Sequence, residues 1–355
     1  MSPTTNTSAD LTALQRALWP VTPGVELILR PRADGAVATL RSDDAPPRTF
    51  QVLDGAVVEC HVGDDESLAG RSLVTDRHAL AATVAPLGRE VLAAELVAWR
   101  PGRRAVLRLR TQTGRLWLKL LDAKTWRRAH AAFSALGEPM APLRFARPLL
   151  LLPELAAYVS ADADGTALRH LLAGEPDLTL VSRSVLALGY TPTTGNLPEL
   201  GFDSARGAAA ASLRQGMSLR EDLATLATAI AQVPPVRTAD RAGFVHGDLH
   251  DKQLFCAAGG VTVIDLEGVG RGDTRLDLVN LAEHVRLREL QQHGCDRGLA
   301  DRVLTRCGMH PDDMATRAFR AVVRARLCGV YALRPRWSTL VDQLRDSTLR
   351  LLEHL

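Results

Sequence analysis

The chain has 355 residues, 46% hydrophobic and 23% charged, a balance that excludes a disordered chain and leaves room for two domains with cores of their own. Its 43 basic and 40 acidic side chains leave a net charge of +3 with neither half a polycation, which argues against nucleic-acid and anionic-membrane partners. Five cysteines (Cys60, Cys256, Cys295, Cys307, Cys328) form no CxxC pair, which argues against a disulfide framework or a zinc ribbon. The start MSPTTNTSADL has no basic-then-apolar signal pattern, and no apolar run approaches the ~20 residues of a membrane span, so a cytoplasmic location is expected.

In chain order, residues 1–88 predict a β-rich extension. VELILRP, AVATLR, RTFQVL and AVVECHV are β-branched runs parted by polar turns, followed by a stretch of loop and helix up to Gly88. Residues 89–160 predict a small antiparallel sheet with one helix. LAAELVAW, RAVLRLRT and RLWLKLL are strands separated by the turn chemistries RPGR and QTG. Alternation sends Leu116, Leu118 and Leu120 to one face of the third strand and Trp117, Lys119 and Leu121 to the other. A helix is expected over 123–136, with its apolar stripe at Trp126, Ala129 and Phe133, and then a hairpin of LLLL and LAAYVS about Pro153-Glu154. Residues 161–355 predict a mainly helical domain, interrupted by an irregular loop at 188–205 and a β-like island at 244–266.

That island, FVHGDLHDKQLFCAAGGVTVIDLEG, carries the chemistry. QLFC and VTVID flank a two-glycine loop, which predicts a hairpin. Pairing Cys256 with Val261 puts Gln253 beside Ile264 and returns Asp265 to the loop holding Asp248. Two carboxylates and an amide oxygen are hard ligands of the kind magnesium takes, with waters and phosphate oxygens completing its shell. A carboxylate next to the metal could accept the proton of an attacking hydroxyl. Lys119 is one of only three lysines in the chain; on the side of Trp117 and Leu121 it would be costly if buried unpaired, and a phosphate is one remedy. The turn Arg100-Pro101-Gly102-Arg103-Arg104 could add N–H groups and guanidinium charge, with Arg103 and Arg104 as the candidate ligands.

The string HGDLHDKQLF, followed by VIDLEGVGRGDTRLDLVNL, resembles the aminoglycoside phosphotransferase and choline kinase superfamily. The resemblance spans roughly residues 90–350 and is strong over 244–282. It implies an α+β, bilobal protein-kinase-like fold, with 89–160 as the nucleotide-binding lobe and 161–355 as the helical lobe with the substrate site. It further implies an ATP- and magnesium-dependent transfer of the γ-phosphate to a hydroxyl of a small molecule. Asp248 would be the catalytic base, Asp265 the main magnesium ligand with Gln253 beside it, and Lys119 the phosphate-binding lysine. Backbone groups from Val159 to Ala161 would hold adenine, and Asp273 and Asp277 would support the loop. His246 and His250 are read as loop braces.

Three departures from the family pattern stand out. Gln253 replaces an asparagine, no acidic residue lies between Asp122 and Glu138 to pair with Lys119 from the helix, and Gly102 stands alone where a glycine-rich loop is common. The first two motivate a second reading, a weak or inactive kinase-like protein that binds nucleotide or a metabolite. A third takes His246, Asp248 and His250 as zinc ligands of a hydrolase. Two other motifs fail: GVGRGD places Asp273 where a dinucleotide fingerprint needs its third glycine, and no GxxxxGK[ST] occurs. For the acceptor, the arginine-rich end (Arg324, Arg326, Arg334, Arg336) does not predict a pocket for polycations; a sugar, a neutral metabolite or a less charged antibiotic is equally compatible.

Overall fold

The computed structural model describes residues 5–32, 35–174, 176–236 and 241–355. It divides into two compact units, one of residues 1–129, 147–162 and 333–336, the other of 130–146, 163–332 and 337–355. The fold is α+β, as expected: sheets dominate the first unit and helices the second.

The first unit opens with helix α1 (Thr5–Leu18), which the sequence reading did not anticipate. It packs on an antiparallel sheet of β1 (Glu26–Arg32), β2 (Gly35–Arg41), β3 (Arg48–Leu53) and β4 (Ala56–Cys60), in that order. Leu11 and Leu14 of the helix and Leu27 and Leu29 of β1 are fully buried. The segment 333–336 belongs to this unit: Leu29 N–H bonds Leu333 O at 2.9 Å, and Arg334 pairs with Glu26 at 3.2 Å. After helix α2 (Arg77–Val84) comes a second sheet, from β5 (Val91–Arg100), β6 (Arg104–Thr111) and β7 (Gly114–Leu121). Helix α3 (Ala123–Ala135) follows; after β8 (Leu143–Phe145), which belongs to the second unit, come β9 (Pro148–Leu152) and β10 (Ala157–Ala161) of the first. The strand order is β5-β6-β7-β10-β9, so the expected meander and hairpin are one sheet.

No division between compact units falls at residue 88. Val62, Leu68, Leu73, Leu80 and Val84 share one core with Leu107, Leu116, Leu118, Leu120 and Val159 of the second sheet. Asp65 also accepts the Trp99 indole N–H and the Gly102 backbone N–H, both at 2.9 Å. Burial of that apolar surface joins the tail of the extension to the sheet it precedes.

The second unit contains β11 (Thr166–Ala167), α4 (Leu168–Leu171), α5 (Leu178–Gly189), β12 (Glu199–Leu200), α6 (Phe202–Gly216) and α7 (Ala224–Gln232). The island follows as β13 (Ala242–Val245), β14 (Leu254–Ala257), β15 (Gly260–Val263) and β16 (Gly270–Asp273). Helices α8 (Arg275–His293), α9 (Leu299–Arg306), α10 (Met314–Ala332) and α11 (Ser338–Leu352) close the chain. The hairpin has the expected register, Cys256 opposite Val261, and Ile264 N–H bonds Gln253 O at 3.1 Å. Its sheet runs β11-β14-β15-β8, and a second small sheet runs β12-β16-β13. Gly272 is required there: at φ +147° its Cβ would lie 1.8 Å from Leu200 O on the parallel neighbour β12.

Helices α6 and α10 meet through glycines. A Cβ on Gly329 would come within 2.4 Å of the Ser212 carbonyl, and one on Gly216 within 3.0 Å of Gly329 O. At the centre of the unit, Glu283 of α8 is fully buried between two arginines of α10. Arg320 Nε reaches it at 2.8 Å, and Arg324 donates from Nε at 2.8 Å and Nη2 at 2.9 Å. This pair-of-pairs ties α8 to α10 beneath the candidate site.

Candidate active site

The segment from His246 to Gln253 leaves β13, turns, and enters β14. Its side chains and backbone are held from three directions. His246 is buried, and its Nε2 lies 2.9 Å from Ile264 O. A carbonyl only accepts, so Nε2 carries the proton and Nδ1 is left to accept the Asp248 N–H at 3.4 Å. Both nitrogens are thus engaged inside the protein, which counts against the zinc reading. His250 Nδ1 accepts the Lys252 N–H at 3.2 Å, and burial depresses its pKa from the ordinary imidazole value. Gln253 is buried, and its Oε1 accepts the His250 N–H at 3.2 Å.

The main support comes from one face of α8. Asp277 takes the His246 and Gly247 N–H groups on its two oxygens, at 2.6 and 2.9 Å. Asn280 donates from Nδ2 to Leu249 O at 2.7 Å. His284 stacks on His250, with ring centroids 4.7 Å apart, and Arg288 pairs with the buried Asp251 at 2.9 Å. Spacings of three, four and four residues put these side chains in a row along the helix, so α8 is a backing plate for the whole loop. Of the row, the sequence reading named only Asp277. Its signal was present in RLDLVNLAEHVRLREL, where Asp277, Asn280, His284 and Arg288 recur at helical spacing. Burial raises the Asp277 pKa to about 6, against the lowering effect of His246 and the two N–H groups.

Asp273 is fully buried at the mouth of α8. It accepts the Arg275 N–H at 3.0 Å and grips the Arg275 guanidinium at 2.5 Å, so it caps the helix from one residue before Thr274, the residue at the cap position. Asp265, just after β15, has φ +62°, in the left-handed region that non-glycine residues seldom occupy. Asp248 and Asp265 both act electrostatically on His250, as the hairpin fold-back requires.

Asp248 itself is different from its neighbours. Its side chain is 47% exposed, and Oδ1 lies 2.6 Å from Nη2 of Arg326 on α10. Arg326 had been noted only as part of an arginine-rich end. Its 78-residue separation from Asp248 hides the pairing from any local reading. Among the described residues, one group has the composition and spacing of a metal centre: His250, Asp251 and His284. Arg288 already balances that carboxylate, so the group reads as a brace.

The first unit carries the remaining candidates. Lys119 sits on β7 opposite Tyr158 of β10, its Nζ 5.6 Å from the Tyr158 ring centre. On its face Trp117 and Lys119 are half-buried and Leu121 buried, while Leu116, Leu118 and Leu120 are fully buried on the other, as the alternation predicts. Val159 is buried and Ala161 half-buried; the pairing of β10 with β9 shifts after Val159 and stops with Ser160 opposite Pro148, which has no N–H. Arg103 and Arg104 are exposed, and the Gly102 N–H of their turn is donated to Asp65. Helix α3 begins at Asp122, which accepts the Lys124 and Thr125 N–H groups at 3.0 and 3.1 Å.

A family model described as a phosphotransferase enzyme family matches residues 187–318, a stretch that holds the loop, the hairpin and α8. Among solved structures, the chain is similar to aminoglycoside phosphotransferase APH(3'')-Id from Streptomyces rimosus, at 18% identity and a TM-score of 0.50 over 71% of this chain and 98% of that one. That enzyme has also been solved in complex with ADP and streptomycin. A thermostable mutant of aminoglycoside phosphotransferase APH(4)-Ia matches at 14% identity and a TM-score of 0.52, over 75% of this chain and 97% of that one. A choline/ethanolamine kinase family protein from Mesorhizobium loti matches at 13% and 0.50, over 78% and 98%. A search of curated protein sequences finds no match. At these identities the likeness is one of fold: the chain has the fold of these kinases, as the resemblance implied.

Proposed function

We propose that the protein is an ATP- and magnesium-dependent phosphotransferase that moves the γ-phosphate to a hydroxyl of a small molecule. The observation that carries the reading is the selective exposure of Asp248. In its loop His246, Asp251 and Gln253 are buried and bonded to the hairpin, α8 or the loop itself, and His250 stacks on His284, while the Asp248 carboxylate is half-open with Arg326 on one oxygen. A loop so braced presents a carboxylate in one place, which is the requirement for positioning a nucleophile.

In this reading the acceptor hydroxyl bonds to Asp248, its oxygen attacks the γ-phosphorus, and its proton passes to the carboxylate as the bond to ADP breaks. Lys119 neutralises charge on the nucleotide phosphates, and the backbone from Val159 to Ala161 offers the edge for adenine. Asp265 and Gln253 fit a magnesium ion in donor type. Both are hard oxygens, and the Gln253 amide oxygen has two lone pairs, of which the His250 N–H uses one. Bound there, magnesium would offset negative charge on the phosphates. Phosphoryl transfer needs little more from a protein than such positioning and charge.

The test is Asp248→Asn. It should abolish acceptor-dependent ADP release while ATP binding, followed by calorimetry, is kept. Turnover equal to wild type would remove Asp248 from the reaction. ATP binding by the wild type without ADP release for any acceptor would favour the inactive binder instead.

A further inference from the structure

The acceptor side of Asp248 is furnished with arginine. Among the described residues, the hydrogen bond to Asp248 is the only one Arg326 makes, leaving most of the five donors of its guanidinium uncommitted. The other two arginines on this stretch of α10, Arg320 and Arg324, are locked on Glu283. Arg326 lies two residues beyond Arg324, about 200° around the helix, and so turns away from that network toward the loop. Lys252 and Arg288 act together with Arg326 on His284, which burial above all holds well below the ordinary imidazole range. Of the two carboxylates of the loop, Asp248 is paired with Arg326, and Asp251 is fully buried with Arg288 on one oxygen. Burial closes Asp251 to the ammonium groups of a polycation, and Arg326 competes with them for Asp248.

We infer that the acceptor carries an oxyanion, a carboxylate or a phosphate, next to its reacting hydroxyl, and that Arg326 is the residue that reads it. This inference rests on the phosphotransferase reading and specifies its substrate class. A guanidinium suits either oxyanion because its planar fork matches two oxygens at once. As the acceptor's anion takes the fork, Asp248 Oδ1 is released from its 2.6 Å contact to receive the hydroxyl. A polycationic acceptor would instead meet Arg326 as a like charge.

The experiment compares matched acceptors with the full chain. Glycerol, glycerate and glycerol 3-phosphate form one set; glucose, gluconate and glucose 6-phosphate form another. ADP release and calorimetric binding are measured for wild type, Arg326→Gln and Arg326→Lys, with circular dichroism confirming that each variant is folded. The wild type should prefer an anionic member over its neutral counterpart by about 10- to 100-fold in kcat/KM, the range expected for a charge-assisted contact. The carboxylate and phosphate arms identify which oxyanion is meant. In Arg326→Gln the preference should collapse, with Arg326→Lys recovering part of it. A neutral member used as well as its anionic partner, with turnover still dependent on Asp248, overturns the inference and leaves the phosphotransferase reading intact. An equal loss for neutral and anionic members in Arg326→Gln also overturns it, because Arg326 would then act on the transferred phosphoryl group. Absence of ADP release with every acceptor counts against the phosphotransferase reading alone; the anion claim is then decided by whether calorimetry shows oxyanion binding that Arg326→Gln removes.

Discussion

Replacing Glu283 by glutamine probes the platform on which the candidate site is built. The glutamate is fully buried, and burial by itself would raise its pKa; Arg324 and Arg320 overcome that and bring it from 4.5 down to about 2. At about 1.4 kcal/mol per pH unit, a shift of that size corresponds to about 3 kcal/mol of stability at neutral pH. Breaking a buried ion pair by removing one partner costs about 3–5 kcal/mol, so two independent routes agree. In Glu283→Gln, Arg320 keeps an anionic partner in Asp301 at 2.8 Å, but Arg324 loses its own and is left with neutral acceptors, the Ser347 carbonyl at 3.3 Å among them. Urea unfolding followed by far-ultraviolet circular dichroism should therefore show a loss of about 3 kcal/mol at pH 7. The folded pKa is depressed, so this contribution is present above pH 4.5 and disappears as pH falls toward 2. The gap between wild type and variant should close over that window. A variant within about 0.5 kcal/mol of wild type at pH 7, the range of ordinary surface substitutions, would refute the reasoning.

Three further outcomes are expected. Asp277 has the opposite sign: its folded pKa is raised from 3.8 to about 6, so the stability of wild type relative to Asp277→Asn should fall by about 3 kcal/mol as pH rises through that interval, and a flat difference would contradict the burial argument. Gly329→Ala should destabilise by about 1–3 kcal/mol through overpacking against Ser212, visible as a lower urea midpoint at unchanged m-value; an unchanged midpoint would mean that the two helices part easily. Asp65→Ala leaves the Trp99 and Gly102 N–H groups without their acceptor and should cost about 1–3 kcal/mol, with a shift in tryptophan fluorescence; if both are unchanged, the link between the extension and the sheet is not needed for folding.

Legibility followed sequence distance. The island at 244–266 was readable because its glycine turn sets the register locally: once Cys256 faces Val261, the meeting of Gln253 and Ile264 follows from strand geometry alone. The face assignment of β7 was equally local, since strand alternation needs no partner. Helix α1 escaped notice because its buried apolar stripe amounts to Leu11 and Leu14 in a polar context. The tie across residue 88 was not legible because Asp65 finds its partners 34 and 37 residues later, at Trp99 and Gly102. Arg326 was visible as a charge and invisible as the partner of Asp248, since only the packing of α10 brings it there. The polar row on α8 is an intermediate case. Asn280, His284 and Arg288 could have been found by extending the helical spacing from Asp277, which puts all four polar groups on one face.

The central claim is that phosphoryl transfer to a small molecule runs through Asp248, and the most direct measurement follows the phosphorus. The protein is incubated with magnesium and ATP labelled at the γ-phosphate, together with the acceptor sets and with aminoglycosides and amino alcohols, and the label is traced to product. The account predicts a labelled small molecule formed by wild type and not by Asp248→Asn, with ATP binding preserved in both. Label transferred equally by the two proteins, or label found only in inorganic phosphate, would contradict it.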